Sequence, residues 1–131
     1  MGLRDLFRNK RAAALAANDK GFAAWEAGRS EDAILEYNEA IRLYPTEPAF
    51  WVNRGEAFLC VSDFDSAKND FTEAIRLNPE LTQAFVGRGV AHADSSQPKA
   101  AVDDFNIVLG LRVHRRLSRG VSTDLQKLRP R

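Results

Sequence analysis

The sequence predicts an all-α fold: a solenoid of three stacked helical hairpins, with one further helix capping its C-terminal end. Three observations lead there. Glu39–Pro45 reads EAIRLYP and Glu73–Pro79 reads EAIRLNP, so nearly the same seven residues recur 34 positions apart. The same shift lays Gly21 on Gly55 and Gly89, Ala33 on Ala67 and Ala101, Tyr37 on Phe71 and Phe105, and Leu43 on Leu77 and Leu111. Within a unit, Ala67, Phe71 and Ala74 stand at i, i+4 and i+7, which is one face of a helix. A single hairpin cannot bury its apolar face alone, whereas three in a stack can.

The elements follow in order. Residues 1–13 form a basic N-terminal segment, residues 14–47, 48–81 and 82–113 the three units, and residues 114–131 a basic C-terminal extension. The first unit keeps Gly21, Ala33, Tyr37, Ala40 and Pro45 but has small Ala17 and Ala24 at positions that are bulky in the second. In the middle unit a helix over about 49–61 carries Trp51, Gly55 and Phe58 on one face. Ser62–Asp63 makes a turn, and Asp63 or Asp65 caps a second helix over about 66–77. That helix ends at Asn78–Pro79, because proline cannot continue it and disfavours helical geometry in the residue before. The third unit keeps Phe85, Gly89, Ala101 and Phe105, places His92 at an aromatic position, and has Val113 where a proline closes the others. Its last helix is therefore prolonged over 112–119 and expected to end at Gly120. Ser122 or Thr123 then caps a short final helix with Val121, Leu125 and Leu128 on one side, covering the open end of the stack.

With Trp51, Gly55, Phe58, Ala67, Phe71, Ala74 and Pro79 at its signature spacings, the chain resembles the tetratricopeptide repeats. About 100 of the 131 residues take part, as three consecutive repeats. The resemblance implies a right-handed solenoid whose first helices line a concave groove, and a protein-binding scaffold rather than an enzyme. A cation series, Lys20, Arg54 and Arg88, and a carboxylate series, Glu36, Asp70 and Asp104, also repeat together. They read as structural ion pairs between packed helices that fix register.

Composition narrows the function. Charged residues are 28% and hydrophobic residues 44%, as in ordinary globular proteins. The net charge of +1 hides a split. Residues 1–11 carry +3 and residues 112–131 carry +6, which leaves −8 for the body between them. The one cysteine, Cys60, permits no internal disulfide and reads as a structural thiol. No stretch approaches the roughly 18 apolar residues of a membrane span, and the N-terminal segment makes a poor targeting signal, so the chain reads as cytoplasmic. There is no HExxH, paired CxxC or phosphate-cradling glycine loop, and His92 and His114 have no catalytic partner in the sequence. No catalytic residue, metal site or cofactor is expected.

A binding site is better supported. By the resemblance, the groove takes Asn18, Phe22, Trp25 and Glu26 from the first unit, Val52, Asn53, Glu56 and Leu59 from the second, and Gln83, Val86, Val90 and Asp94 from the third. The surface mixes apolar side chains with carboxylates and amides and has no lysine or arginine. It therefore suits an extended or helical peptide of apolar and basic character, bound by an adaptor or assembly subunit. Some members of the family grip acidic chaperone tails with a carboxylate clamp of lysine, asparagine and arginine. The matching places here hold Asn18, Phe22, Asn53, Gln83 and Gly87, and only Asn53 fits, so tails of that kind are expected not to bind. The competing class is a self-associating module, a homo-oligomer whose groove is filled by a neighbouring copy or by its own basic tail. Nucleic acid is disfavoured by the acidic body and by a tail without aromatic stacking platforms. Leu3, Leu6 and Phe7 beside Arg4, Arg8 and Arg11 make a small basic amphipathic edge, and a membrane surface ranks below a protein partner.

Overall fold

A computed structural model describes residues 2–127. Six helices follow one another: α1 (Leu3–Glu26), α2 (Ser30–Leu43), α3 (Pro48–Cys60), α4 (Phe64–Leu77), α5 (Thr82–Asp94) and α6 (Pro98–Lys127). Each odd-numbered helix pairs with the next as a hairpin, and each hairpin packs on its neighbour through α2–α3 and α4–α5. In addition α1 meets α3 and α3 meets α5, while α2, α4 and α6 make no contact with each other among the described residues. The first helices therefore crowd on the inner side and the second helices fan apart outside, which curves the stack around a concave wall.

Local chemistry sets the boundaries. Pro48 opens α3 behind Glu47, whose side chain accepts from the Ala49 amide at 3.4 Å. Asp63 caps α4, accepting from the Ser66 amide at 3.2 Å and from the Ser66 hydroxyl at 2.7 Å. The three hairpin turns share one backbone device. Gly28, Ser62 and Ser96 have φ of 77°, 60° and 62°. The amide just after each bonds back across the turn, Arg29 to Ala24, Asp63 to Phe58 and Gln97 to His92, at 2.8–3.0 Å.

The core is continuous across units because rings and glycines interlock. A β-carbon at Gly55 would lie 2.9 Å from the Phe71 ring, and one at Gly87 would lie 2.4 Å from the same ring on its other side. Phe71 is thus held between its own hairpin and the next, with no exposure. Val52, Ala67, Ala74, Ala84 and Ala91 complete that cluster. Phe50 from α3 closes a second one over Ala14, Ala17, Ala40 and Ile41.

Two expectations about the ends need correction. The basic segment 1–13 is no separate piece, because α1 begins at Leu3 and runs through it. The separate capping helix does not form either, since α6 continues through Gly120 to Lys127. One glycine costs an exposed helix about 1 kcal/mol relative to alanine, which interrupts nothing when no proline follows within the helix. Leu128, expected on the apolar side of that cap, lies outside the described residues.

Candidate functional site

The inner wall is built from α1, α3 and α5, and the residues expected there fall into distinct groups. Glu56 and Leu59 of α3, Gln83, Val86 and Val90 of α5, and Val108 and Arg112 of α6 line one open cavity of about 370 Å³. Val86 and Val90 are 42% and 36% exposed, and Glu56 and Leu59 are half-buried. Asn18 and Asn53 meet across α1 and α3, where the Asn53 amide donates to the Asn18 carbonyl at 2.8 Å. Phe22 and Trp25 stack with ring centroids 5.8 Å apart. Trp25 rests half-buried on the Ala24–Ala33–Tyr37–Ala57 cluster, whereas Phe22 is 44% exposed. Glu26 and Asp94 are exposed and do not line the cavity.

Val52 is the clear departure. It is 3% exposed and belongs to the core with Phe71 and Ala74, so no ligand can reach it. α5 packs directly over that side of α3, a contact between units that the repeat pattern of one helix does not display. Arg112 is the residue that sequence reasoning missed. It stands where Asn78 follows α4, and it lines the cavity because α6 continues past the point where a proline ends its counterparts.

The electrostatics single out Glu56. Burial pushes its carboxyl above the ordinary range, and it makes no ion pair among the described residues. Its charge also reaches Tyr37, whose hydroxyl is pushed up to about 12, mainly by burial and then by Glu56. A half-buried carboxylate with no ion pair of its own favours a positively charged neighbour, and Arg112 is the one cation on the lining of its cavity.

The repeated ion pairs are realised twice. Arg54 grips Asp70 through two hydrogen bonds of 2.8 and 2.7 Å, and Arg88 grips Asp104 at 2.9 and 2.7 Å. Both carboxylates are 3% exposed, so these pairs are buried rather than superficial. Burial raises the Asp70 carboxyl above its ordinary value, against the pull of Arg54. The Arg54 guanidinium lies 5.1 Å from the Trp51 ring centroid and 5.7 Å from that of Phe58. Lys20 and Glu36 form no pair among the described residues and instead line an open cavity of about 450 Å³. Ala17 and Ala24 stand where Trp51 and Phe58 stand in the second unit, so no rings shield the Lys20 stem from water. His92 has the packing role expected, half-buried, with Nδ1 2.9 Å from Gln97 and Nε2 3.6 Å from Asp104. Cys60 is exposed at the end of α3 rather than packed. No described helix is long and apolar enough to cross a membrane.

Comparison with known proteins fits this geometry. The model of the family described as tetratricopeptide repeat matches residues 3–48, 18–61 and 52–112. Among solved structures, the chain is similar to an Arabidopsis OM64 TPR domain, with 28% identity over 90% of this chain and 98% of that one and a TM-score of 0.78. It is similar to the second TPR of Spaghetti (RPAP3) bound to the HSP90 peptide SRMEEVD, with 30% identity over 82% of this chain and 98% of that one and a TM-score of 0.78. It is also similar to the second TPR domain of human RPAP3 in complex with the HSP70 peptide SGPTIEEVD, with 29% identity, coverage of 78% and 85%, and a TM-score of 0.75. No curated protein sequence matches the chain. Two of these neighbours hold acidic peptides, so the expected exclusion of chaperone tails finds no support among them. With three signature-spaced hairpins and a family model matching along residues 3–112, this chain belongs to the tetratricopeptide repeat family.

Proposed function

We propose that this chain is a protein-interaction module whose inner wall holds a segment of a partner protein. The segment carries an apolar side chain for the cavity between α3, α5 and α6 and a basic side chain for Glu56. The reading rests on a half-buried carboxylate that makes no ion pair among the described residues, at the edge of a cavity of about 370 Å³ whose lining is mostly apolar and includes one cation, Arg112. Peptide capture by structural neighbours supports the general mode. The charge preference comes from this chain: Glu56, Glu26 and Asp94 lie on the inner helices, Arg54 and Arg88 are inward-paired, and Arg112 of α6 is the cation that a basic side chain would have to share the cavity with.

The test is a titration of isotopically labelled protein with two synthetic peptides, one rich in leucine and lysine and one with the acidic sequence SRMEEVD, read by amide chemical shifts. The basic peptide is expected to shift α3 and α5 amides saturably, and Glu56→Gln to weaken it by about tenfold, the loss of one charge-assisted hydrogen bond. Saturable binding of the acidic peptide on the inner wall, with none of the basic one, would overturn the charge assignment.

A further inference from the structure

The last hairpin presents a seat that no described residue fills. Inside the stack, Val52, Phe71, Ala74 and Ile75 form the surface on which α5 lies, covered by Leu81, Ala84 and Ala91. Thirty-four residues on, Val86, Phe105, Val108 and Leu109 repeat that surface at the outer end. Val52 and Phe71 are 3% and 0% exposed, while Val86, Phe105 and Leu109 are 42%, 38% and 58% exposed around a buried Val108 at 7%. No described part of the chain covers them, because α6 runs straight on to Lys127 instead of turning back.

The opposite end presents the matching plug. In α5 the residues facing α4 include Ala84 and Ala91, and in α3 those facing α2 include Phe50 and Ala57, all fully or nearly buried. Their counterparts in α1 are Ala16 and Ala23, both exposed. A polar contact repeats in the same register. The Arg54 guanidinium donates to Asn38 at 3.0 Å, and that of Arg88 to Thr72 at 3.3 Å, each reaching the preceding hairpin. The next acceptor in the series is Asn106, exposed on α6, and the cation of the series without a pair among the described residues is Lys20, exposed on α1.

We infer that a second copy of this chain docks α1 onto the α5–α6 end of the first, so that the solenoid continues from one molecule into the next with Lys20 donating to Asn106. The contact extends an interface the chain already uses twice within itself. It is head to tail and repeats the step from one hairpin to the next, so copies add in a row along the solenoid axis. The seat shares Val86 and Val108 with the groove cavity, whereas Leu109 and Ala23, the positions that test the docking, line no part of it, so a failed peptide titration leaves this contact standing. It also brings two basic runs side by side. α1 begins eleven residues before the counterpart of Pro48, and α6 runs sixteen past that of Leu77, both leaving from the same edge. Arg4, Arg8 and Arg11 of one copy thus approach Arg112, Arg116 and Arg119 of the other. Salt screens such repulsion, so association strengthens as ionic strength rises.

Sedimentation velocity on the full chain tests this, from micromolar to millimolar concentration at low and high salt. Mass is expected to climb from the 14.6 kDa of one chain with concentration, and further with salt. Ala23→Glu spoils the plug and Leu109→Glu the seat. Each variant alone should stay monomeric, and an equimolar mixture should reach twice 14.6 kDa and stop, because one intact plug meets one intact seat. Both positions are exposed, circular dichroism checks the fold, and Ala16→Glu and Leu109→Gln serve as second variants on the same faces. A wild-type chain monomeric throughout, Ala23→Glu associating like wild type, a mixture that fails to pair, or association that weakens with salt would each overturn the proposal. The last result would instead lay the basic tail on the acidic body.

Discussion

At the scale of single residues, burial separates positions that the repeat makes look equal. Arg54–Asp70 and Arg88–Asp104 are enclosed pairs, and Lys20–Glu36 in the same register is open. Asp70→Ala leaves a largely enclosed guanidinium without its partner and should cost about 3 kcal/mol. Glu36→Ala should cost under about 0.5 kcal/mol, and urea unfolding of the two variants measures the contrast. Glu56 gives a pH signature. Its carboxyl holds a proton more tightly in the folded state, so its contribution favours folding at acid pH and is lost as pH rises through its raised value. Glu56→Gln should therefore melt higher than wild type at neutral pH, with the gain vanishing below the ordinary carboxylate range. A gain that grows on acidification would contradict this. The cation–carboxylate series was legible in the sequence, but which of its members closes was not, because that depends on the rings of Trp51 and Phe58 over the cation.

At the scale of elements, turns and helix ends follow short-range rules, and most were readable. Proline after α2 and α4, the Asp63 cap and the position of each hairpin turn are local features. The left-handed backbone shared by Gly28, Ser62 and Ser96 is less visible, since two of the three are serine. A non-glycine residue there is strained by roughly 1 kcal/mol. Ser62→Gly should therefore stabilise the fold by about 0.5 kcal/mol after the entropy of the added glycine, seen as a later urea midpoint with unchanged slope. A midpoint that moved earlier would contradict the strain. α6 shows where local rules mislead. Gly120 looked like a stop signal, yet a lone glycine is a weak one. Gly110 is already tolerated mid-helix with nothing within 4 Å of where its β-carbon would stand. Gly110→Ala should stabilise by about 0.5–1 kcal/mol, while Gly87→Ala drives a methyl into the Phe71 ring and should cost about 1–3 kcal/mol.

At the scale of the molecule, a stack in which each hairpin touches only its neighbours is most stable in the middle. Amide exchange should be slowest in α3, α4 and the first half of α5, and fastest over residues 3–13 and 112–119, which have few packed neighbours. Uniform protection along the chain would show that the ends are held by something further. The period, the helical hairpins, the order of units and the split between acidic body and basic ends could all be read from the order of the residues. Each of these depends on residues within one turn or one hairpin of each other, or on composition. Only the packing of hairpin on hairpin puts Val52 in the core, brings Arg112 and Glu56 to one cavity, leaves one of the three ion pairs open among the described residues, and ends the last hairpin in a seat that no described residue covers. Those outcomes depend on how one hairpin lies on the next, a relation between surfaces 34 residues apart that no single helix face encodes.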